Sequence, residues 1–433
     1  MITRRRLLAS ISSAAVGATL VDPLRNAALA AGARKAGAKS KTILLRSAWD
    51  TVNIGDIGHT PGTLRILEEH LPDTPVILWA ASLNDAVRDM LLRRFPKLEI
   101  VQGKLDEKRG PVEPQLQDAF ARCGLVIRNS GMGQDLGLFS YCVANKIPFG
   151  IYGQSYFPSF VEGEAGKHAL ELINHAEFLY CRDGNTLKTL QDAQAKPKVL
   201  EFGPDGCFGI DVRDDERATA FMKRAGLEDR KFITIQLRTH TAKHKGKHNP
   251  PLNPLHPTPQ NIADDERRAA VYRELITGWV KQTGYKVLIA PEVEKEAAHN
   301  KRLLFDPLPA EIQANIVNMD HFWNVDEAAS VFARAHTAVC HEPHSLIIAL
   351  ANGTPIIHTF SEFHSPKCWM FRDIGLSKWL LEFDSTPASQ MLAALLAIDA
   401  DYKGAQAEVQ KAMKFVAERQ AATMQVVGKL VQS

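Results

Sequence analysis

"TAVCHEPHSLIIALANGTPIIHTF", residues 337–360, decides how this chain folds. A short apolar run at 337–340 leads into His341, Glu342 and His344. A second apolar run stops at Gly353-Thr354-Pro355, and a third follows it. Short apolar runs bounded by breakers fit buried strands, and a helix between two of them lets the strands run parallel. Ser345 is placed to N-cap a helix over 346–352, and Gly353 to end it. Such a helix start would turn backbone N–H groups toward a phosphate or carboxylate. His344 stands beside that point, suited to proton transfer. His341 and His344 also raise a metal reading, but Pro343 between them keeps them off one regular helical face, and a third ligand must come from His358, Glu362 or His364. The expectation is no metal site.

The same rhythm extends outward. "KTILLRSA", "TPVILWA", "LEIVQG", "GLVIRNSG", "IPFGIYGQS" and "AEFLYCRDG" read as strands separated by helical or loop segments. "EFGPDGCFGID", rich in Gly and Pro, reads as a break near 200–230. A second series follows: strand "KFITIQLR", helix "RRAAVYRELITGWVKQTG", strand "YKVLIAPE", helix "EAASVFARA", then the opening stretch. The expectation is an α/β chain with two Rossmann-like doubly wound domains, 41–210 and 220–385, facing a cleft, and a helical tail over 388–433.

Charge excludes one function class. The formal net charge is +3 over 433 residues. Arg4, Arg5, Arg6 and Arg25 against Asp22 supply all of it, so the remainder is neutral and no nucleic-acid partner is expected. An arginine cluster before the uncharged run 7–21, with Ala28-Leu29-Ala30 after it, reads as an export signal over 1–30. Its paired arginines and mild apolar run resemble a twin-arginine leader, which places the mature protein in the periplasm or cell envelope. No other segment is long and apolar enough to span a membrane. The six cysteines are scattered without a CxxC pair and read as buried free thiols. The stretch 239–261, rich in His, Lys and Pro, reads as a long loop, either a binding loop or solvated filler.

In parallel sheets the ligand sits beyond the carboxyl ends of the strands. That rule singles out Asn53, Gly55 and Asp56 after the first strand, Gln154 after "FGIYG", and Arg182 with Asp183 after "FLYC". It also selects Arg238 after "FITIQL", and Glu342 and His344 after "TAVC". Arg182 and Asp183 also read as a simple surface pair of little worth.

These residues resemble the polysaccharide pyruvyl transferase family. "VNIGDIGHTPGTLRILEE" is similar to its Asn-x-Gly-Asp opening, and "VIRNSGMGQDL" weakly resembles its glycine-rich segment. "IYGQSYFP", "YCRDGNTLKTL" and "EFGPDGCFGI" resemble later motifs in order. In the opening stretch, His344, Ser345, Gly353, Pro355 and Lys367 match the most telling motif. The resemblance implies a fold similar to GT-B glycosyltransferases. It also implies transfer of a pyruvyl group from phosphoenolpyruvate, a co-substrate, to two hydroxyls of a glycan or glycan-lipid, with no further cofactor. In that reading Arg238 clamps the donor's anionic groups, with Ser345 and the helix start as a second anchor. His344 is the acid–base group, Lys367 holds phosphate, and Asp56 and Gln154 orient sugar hydroxyls. Where the family has arginine two residues before the histidine, this chain has Glu342. A carboxylate there should weaken donor binding unless another cation compensates, with Lys243, Lys245 and Lys247 as candidates. Two alternatives stay open: a GT-B-like transferase with another donor, and a non-catalytic exported glycan-binding protein.

Overall fold

The computed structural model describes residues 41–106, 109–131, 133, 135–238, 259–361 and 365–432. The leader 1–30, the loop lysines, Met132, Gln134, Glu362 and His364 lie outside the described residues. Two wholly parallel sheets form the frame. The first contains β1 (Thr42–Ser47), β2 (Val76–Ala80), β3 (Glu99–Gln102), β4 (Cys123–Arg128), β5 (Phe149–Gln154), β6 (Phe178–Cys181) and β7 (Leu200–Phe202). Their spatial order is β3-β2-β1-β4-β5-β6-β7. The second contains β8 (Phe232–Gln236), β9 (Lys286–Ile289), β10 (Ile316–Asn318), β11 (Thr337–Cys340), β12 (Ile356–Phe360) and β13 (Leu380–Glu382), in the order β10-β9-β8-β11-β12-β13. Both orders reverse at the first strand, which is the Rossmann switch point. The central strands β5, β8, β11 and β12 are buried along their whole length. That burial is why they read as continuous apolar runs.

Six helices position the site: α1 (Ile54–His70), α2 (Gly184–Asp192), α3 (Pro259–Thr283), α4 (Val325–Phe332), α5 (Pro343–Ala351) and α6 (Tyr402–Gln432). Helix α5 is buried from Pro343 through Leu350, as its all-round apolar run "LIIALA" demands. It packs on β11 and β12 and also against α1 and the turn Gly206–Gly209 of the first half. Close approach there depends on glycine. A Cβ at Gly62 would lie 2.2 Å from the Gly206 carbonyl oxygen, and one at Gly55 2.5 Å from the His344 ring. A larger residue at Gly62 would push α1 off its neighbouring turn, and one at Gly55 would push α1 off α5.

Several expectations change. Helix α5 starts at Pro343, with Glu342 in the capping position, so Ser345 sits in the first turn and is not the cap. Proline suits a first helical turn, because its missing N–H has no partner to lose there. Helix α3 begins at Pro259, eight residues before the expected helix. The break at "EFGPDG" contains an edge strand, β7, and β10 and β13 are two more edge strands of three residues each. Three residues with none fully buried are too few to show a pattern. The tail comprises a helix Ala388–Ala400, which lies on α3, and the long α6. Helix α6 crosses back to the first sheet. The Lys41 N–H donates to Val431 O at 2.8 Å and Arg419 Nη2 to Phe202 O at 2.7 Å. All six cysteines are free thiols, five buried and Cys123 half-buried. Among the described residues no helix is long and apolar enough to cross a membrane.

Candidate active site

Strand register gathers the site. Gln236 pairs with Cys340, and Cys340 with His358, so β8, β11 and β12 end side by side. The chain leaving them supplies Arg238, then Glu342 and His344, then Lys367. Strand β9, next to β8, supplies Glu292 and Glu296. From the first half come Arg182 after β6, Asp205 after β7 and His59 on α1.

Asp205 is the centre of the seam. It has no exposed surface. One carboxylate oxygen accepts from Arg182 Nη1 at 2.6 Å and the other from His59 Nδ1 at 2.9 Å. It also caps its own turn, accepting from the Cys207 N–H at 2.7 Å. Burial alone would raise its pKa, but His59, Arg182 and His344 hold it well below the usual carboxylate range. Burial wins at His59, whose pKa is pushed below its ordinary value despite Asp205.

His344 faces two carboxylates from different halves. Its Nε2 lies 3.9 Å from Asp205 Oδ2 and its Nδ1 3.6 Å from Glu292 Oε1. Its ring meets that of His59 edge-on, with centroids 4.7 Å apart. Only 5% of the residue is exposed. Burial favours the neutral ring, yet Asp205 and Glu292 outweigh it and raise the pKa above the ordinary histidine value. Glu292 moves the opposite way. Burial is outweighed by His344 and by Ser345, so its pKa is lowered.

Glu342 is held by two cations. Lys367 Nζ lies 2.6 Å from Glu342 Oε2, and Arg238 Nε lies 3.3 Å from Oε1. Arg238 also reaches Glu296 at 3.7 Å. Glu342 foremost, ahead of the opposing burial, lifts the Arg238 pKa above its ordinary value. Glu296 is buried, and one of its oxygens accepts from the Glu292 and Val293 N–H groups at 3.0 and 3.1 Å. Burial pushes its carboxyl up to about 7.

The sequence candidates divide accordingly. Arg238, Glu342, His344, Ser345 and Lys367 fall in one region, as the strand-end rule expects. The expected free helix start does not: the Ser345 N–H and hydroxyl both donate to Glu292, at 3.0 and 2.6 Å. The anion at that helix start is the protein's own carboxylate. Arg182 and Asp183 are not a surface pair. Both are buried, Arg182 binding Asp205 and Asp183 capping α2 through the Thr186 N–H. Gln154 is wholly buried and donates to Asn129 O at 2.7 Å. Asn53 caps α1 by accepting from the Gly55 N–H at 2.8 Å, and its side-chain amide donates to Asp56 at 3.0 Å. His341 Nδ1 lies 2.7 Å from Thr359 O. Sequence reasoning missed His59, Asp205, Glu292 and Glu296. Glu292 ends "YKVLIAPE" and obeys the strand-end rule. Asp205 lay in a segment read as a break.

Among the described residues, two groupings place metal-ligand atoms within 4.8 Å of one another: His59, Asp205 and His344, and Glu292, Glu342 and His344. Their carboxylates Asp205 and Glu342 already face Arg182, Lys367 and Arg238, and neither grouping contains His341.

Solved structures agree on the architecture. Over 91% of this chain and 98% of the other, the fold matches Staphylococcus aureus MnaA bound to UDP, with a TM-score of 0.56 at 11% identity. Neisseria meningitidis UDP-GlcNAc 2-epimerase matches over 90% and 100%, with a TM-score of 0.56 at 10% identity. Anabaena Alr3699/HepE in complex with UDP matches over 90% and 99%, with a TM-score of 0.52 at 11% identity. At such identity these likenesses show the two-domain GT-B-like fold. No curated protein matches the chain in sequence. The family described as polysaccharide pyruvyl transferase matches residues 53–359, which run from the cap of α1 to within β12 and include Asp205, Glu292 and His344. The chain therefore belongs to the polysaccharide pyruvyl transferase family and is a transferase of the polysaccharide-modifying kind.

Proposed function

We propose that the protein moves a pyruvyl group from phosphoenolpyruvate to a pair of glycan hydroxyls. The observation that carries this reading is His344, a buried ring between carboxylates of both halves, which raise its pKa above the ordinary histidine value. A proton-bearing group is what the donor's methylene carbon needs. His344 gives its proton to that carbon, leaving an oxocarbenium-like centre at the carbon that bears the phosphate. One acceptor hydroxyl adds there, and the C–O bond to phosphate breaks. The second hydroxyl closes the ketal. Of the two hydroxyl protons released, one returns to His344 and one leaves with phosphate. Lys367 and Arg238 are the cations for the donor, already oriented by Glu342. With His344 so little exposed, the seam between α1 and α5 must open to admit a donor.

The test is phosphate release from phosphoenolpyruvate with a panel of glycans. His344→Gln should lose at least about a hundredfold in turnover while still binding the donor. Phosphate release that survives this change would overturn the assignment of the acid. Glu342, standing for the family's arginine, favours a second reading in which the donor is different. Binding of a nucleotide sugar, with no phosphate release from phosphoenolpyruvate, would establish that reading instead. Export by the twin-arginine-like leader belongs to this proposal, and fractionation of cells carrying a C-terminally tagged chain tests it.

A further inference from the structure

The first sheet carries a second cationic cluster that pyruvyl transfer does not use. Arg46 on β1 pairs in register with Arg128 on β4, and with Trp79 on its other side. Residues paired in register share a face, and like charges so placed destabilise a sheet. Arg46 lies 4.2 Å from the Trp79 ring centroid and 5.6 Å from that of Trp49. Arg128 lies 4.4 Å from that of Trp49. The Trp49 ring is pinned by donating to Ser130 O at 2.6 Å.

Carboxylate is scarce here. Asp135 comes within 3.7 Å of Arg46. Arg128 is 5% exposed, and its Nη1 donates to its neighbour's carbonyl, Asn129 O, at 2.8 Å. Arg128 Nε and Arg46 Nη1 are buried without a hydrogen-bond partner, and Arg46 Nε, also buried, faces Asp135 at 3.7 Å. Cation–π contacts return only part of the cost of burying a guanidinium. That burial pushes Arg128 down to about 10, opposed by Tyr156 and Asp135 and aided in smaller part by Arg182 and Arg46. A Cβ at residue 131 would stand 3.2 Å from Arg128 Nη1, so Gly131 keeps that face of the guanidinium clear.

We propose that Arg46 and Arg128 bind an oxyanion, a carboxylate or a phosphate, carried by the acceptor glycan. Two cations with one carboxylate among the described residues are short of one negative charge, and their unused donors match a planar or tetrahedral oxyanion. Only the assignment to the acceptor rests on the pyruvyl-transfer reading.

Calorimetric titration of the full chain with glucuronate, glucose 1-phosphate and glucose tests it. At least one charged sugar should bind tenfold or more tightly than glucose, and which one identifies carboxylate or phosphate as the source. Arg128→Gln should lose at least tenfold in that affinity, and so should Arg46→Gln, at the more open cation and the safer change for folding. Lys367→Met should keep the affinity, which separates this site from the donor cations. Equal affinity for charged and neutral sugars, or unchanged affinity in both arginine variants, would overturn the proposal. If the charged sugar binds but phosphoenolpyruvate is never turned over, the pyruvyl-transfer reading fails and the oxyanion site stands.

Discussion

At the end of the second sheet, Arg238 and Lys367 share Glu342, with Glu296 behind them. At the end of the first, Arg46 and Arg128 stand side by side, and Asp135 approaches Arg46 at 3.7 Å. Both pairs lie at or beyond the carboxyl ends of strands in the same kind of sheet. The difference is in what balances them. The second sheet supplies its own carboxylates, so its cations are oriented before any ligand arrives. The first leaves donors unused, so an anion has more to gain there.

The largest effect should come where the halves meet. Asp205→Ala strips Arg182 and His59 of their buried partner and should cost about 3–5 kcal/mol of stability, read from urea unfolding. A loss under about 1 kcal/mol would mean that the seam does not depend on this carboxylate. Next comes Glu296, whose carboxyl is raised to about 7 in the folded chain from an ordinary value near 4.5. A raised acid contributes stability that is complete below pH of about 4.5 and is lost as pH climbs through about 7. Wild type should therefore lose on the order of 3 kcal/mol between about pH 5 and 8 that Glu296→Gln does not. Parallel pH profiles for the two proteins would place the buried proton elsewhere. The smallest effect bears on the comparison most directly. Glu342→Gln releases Lys367 and Arg238, making the second cluster resemble the first. Phosphoenolpyruvate should then bind about tenfold more tightly, about 1.4 kcal/mol. Weaker binding would show that Glu342 serves the donor by orienting its cations.

Much of the frame was legible in the chain. The apolar runs marked the central strands because those strands are buried on both faces. Edge strands β7, β10 and β13 escaped, since three residues with none fully buried show no period. Asp205 escaped with β7, because Gly and Pro around it looked like a domain break. Glu292 was visible at a strand end but had no recognised motif around it. Ser345 was misjudged by three residues of helix boundary, enough to hide that Glu292 already occupies the helix start.

The sequence alone determined the alternation of strand and helix, the buried character of α5 and the family motif around His344. These depend on local spacing of apolar residues and on a few fixed residue types. Tertiary structure decided which charges meet. Asp205 reaches His344 across the seam, Glu342 is held by Lys367 and Arg238, and Arg46 is set opposite Arg128 by strand register. Charge pairing depends on distance and burial in space, and neither is a property of spacing along the chain.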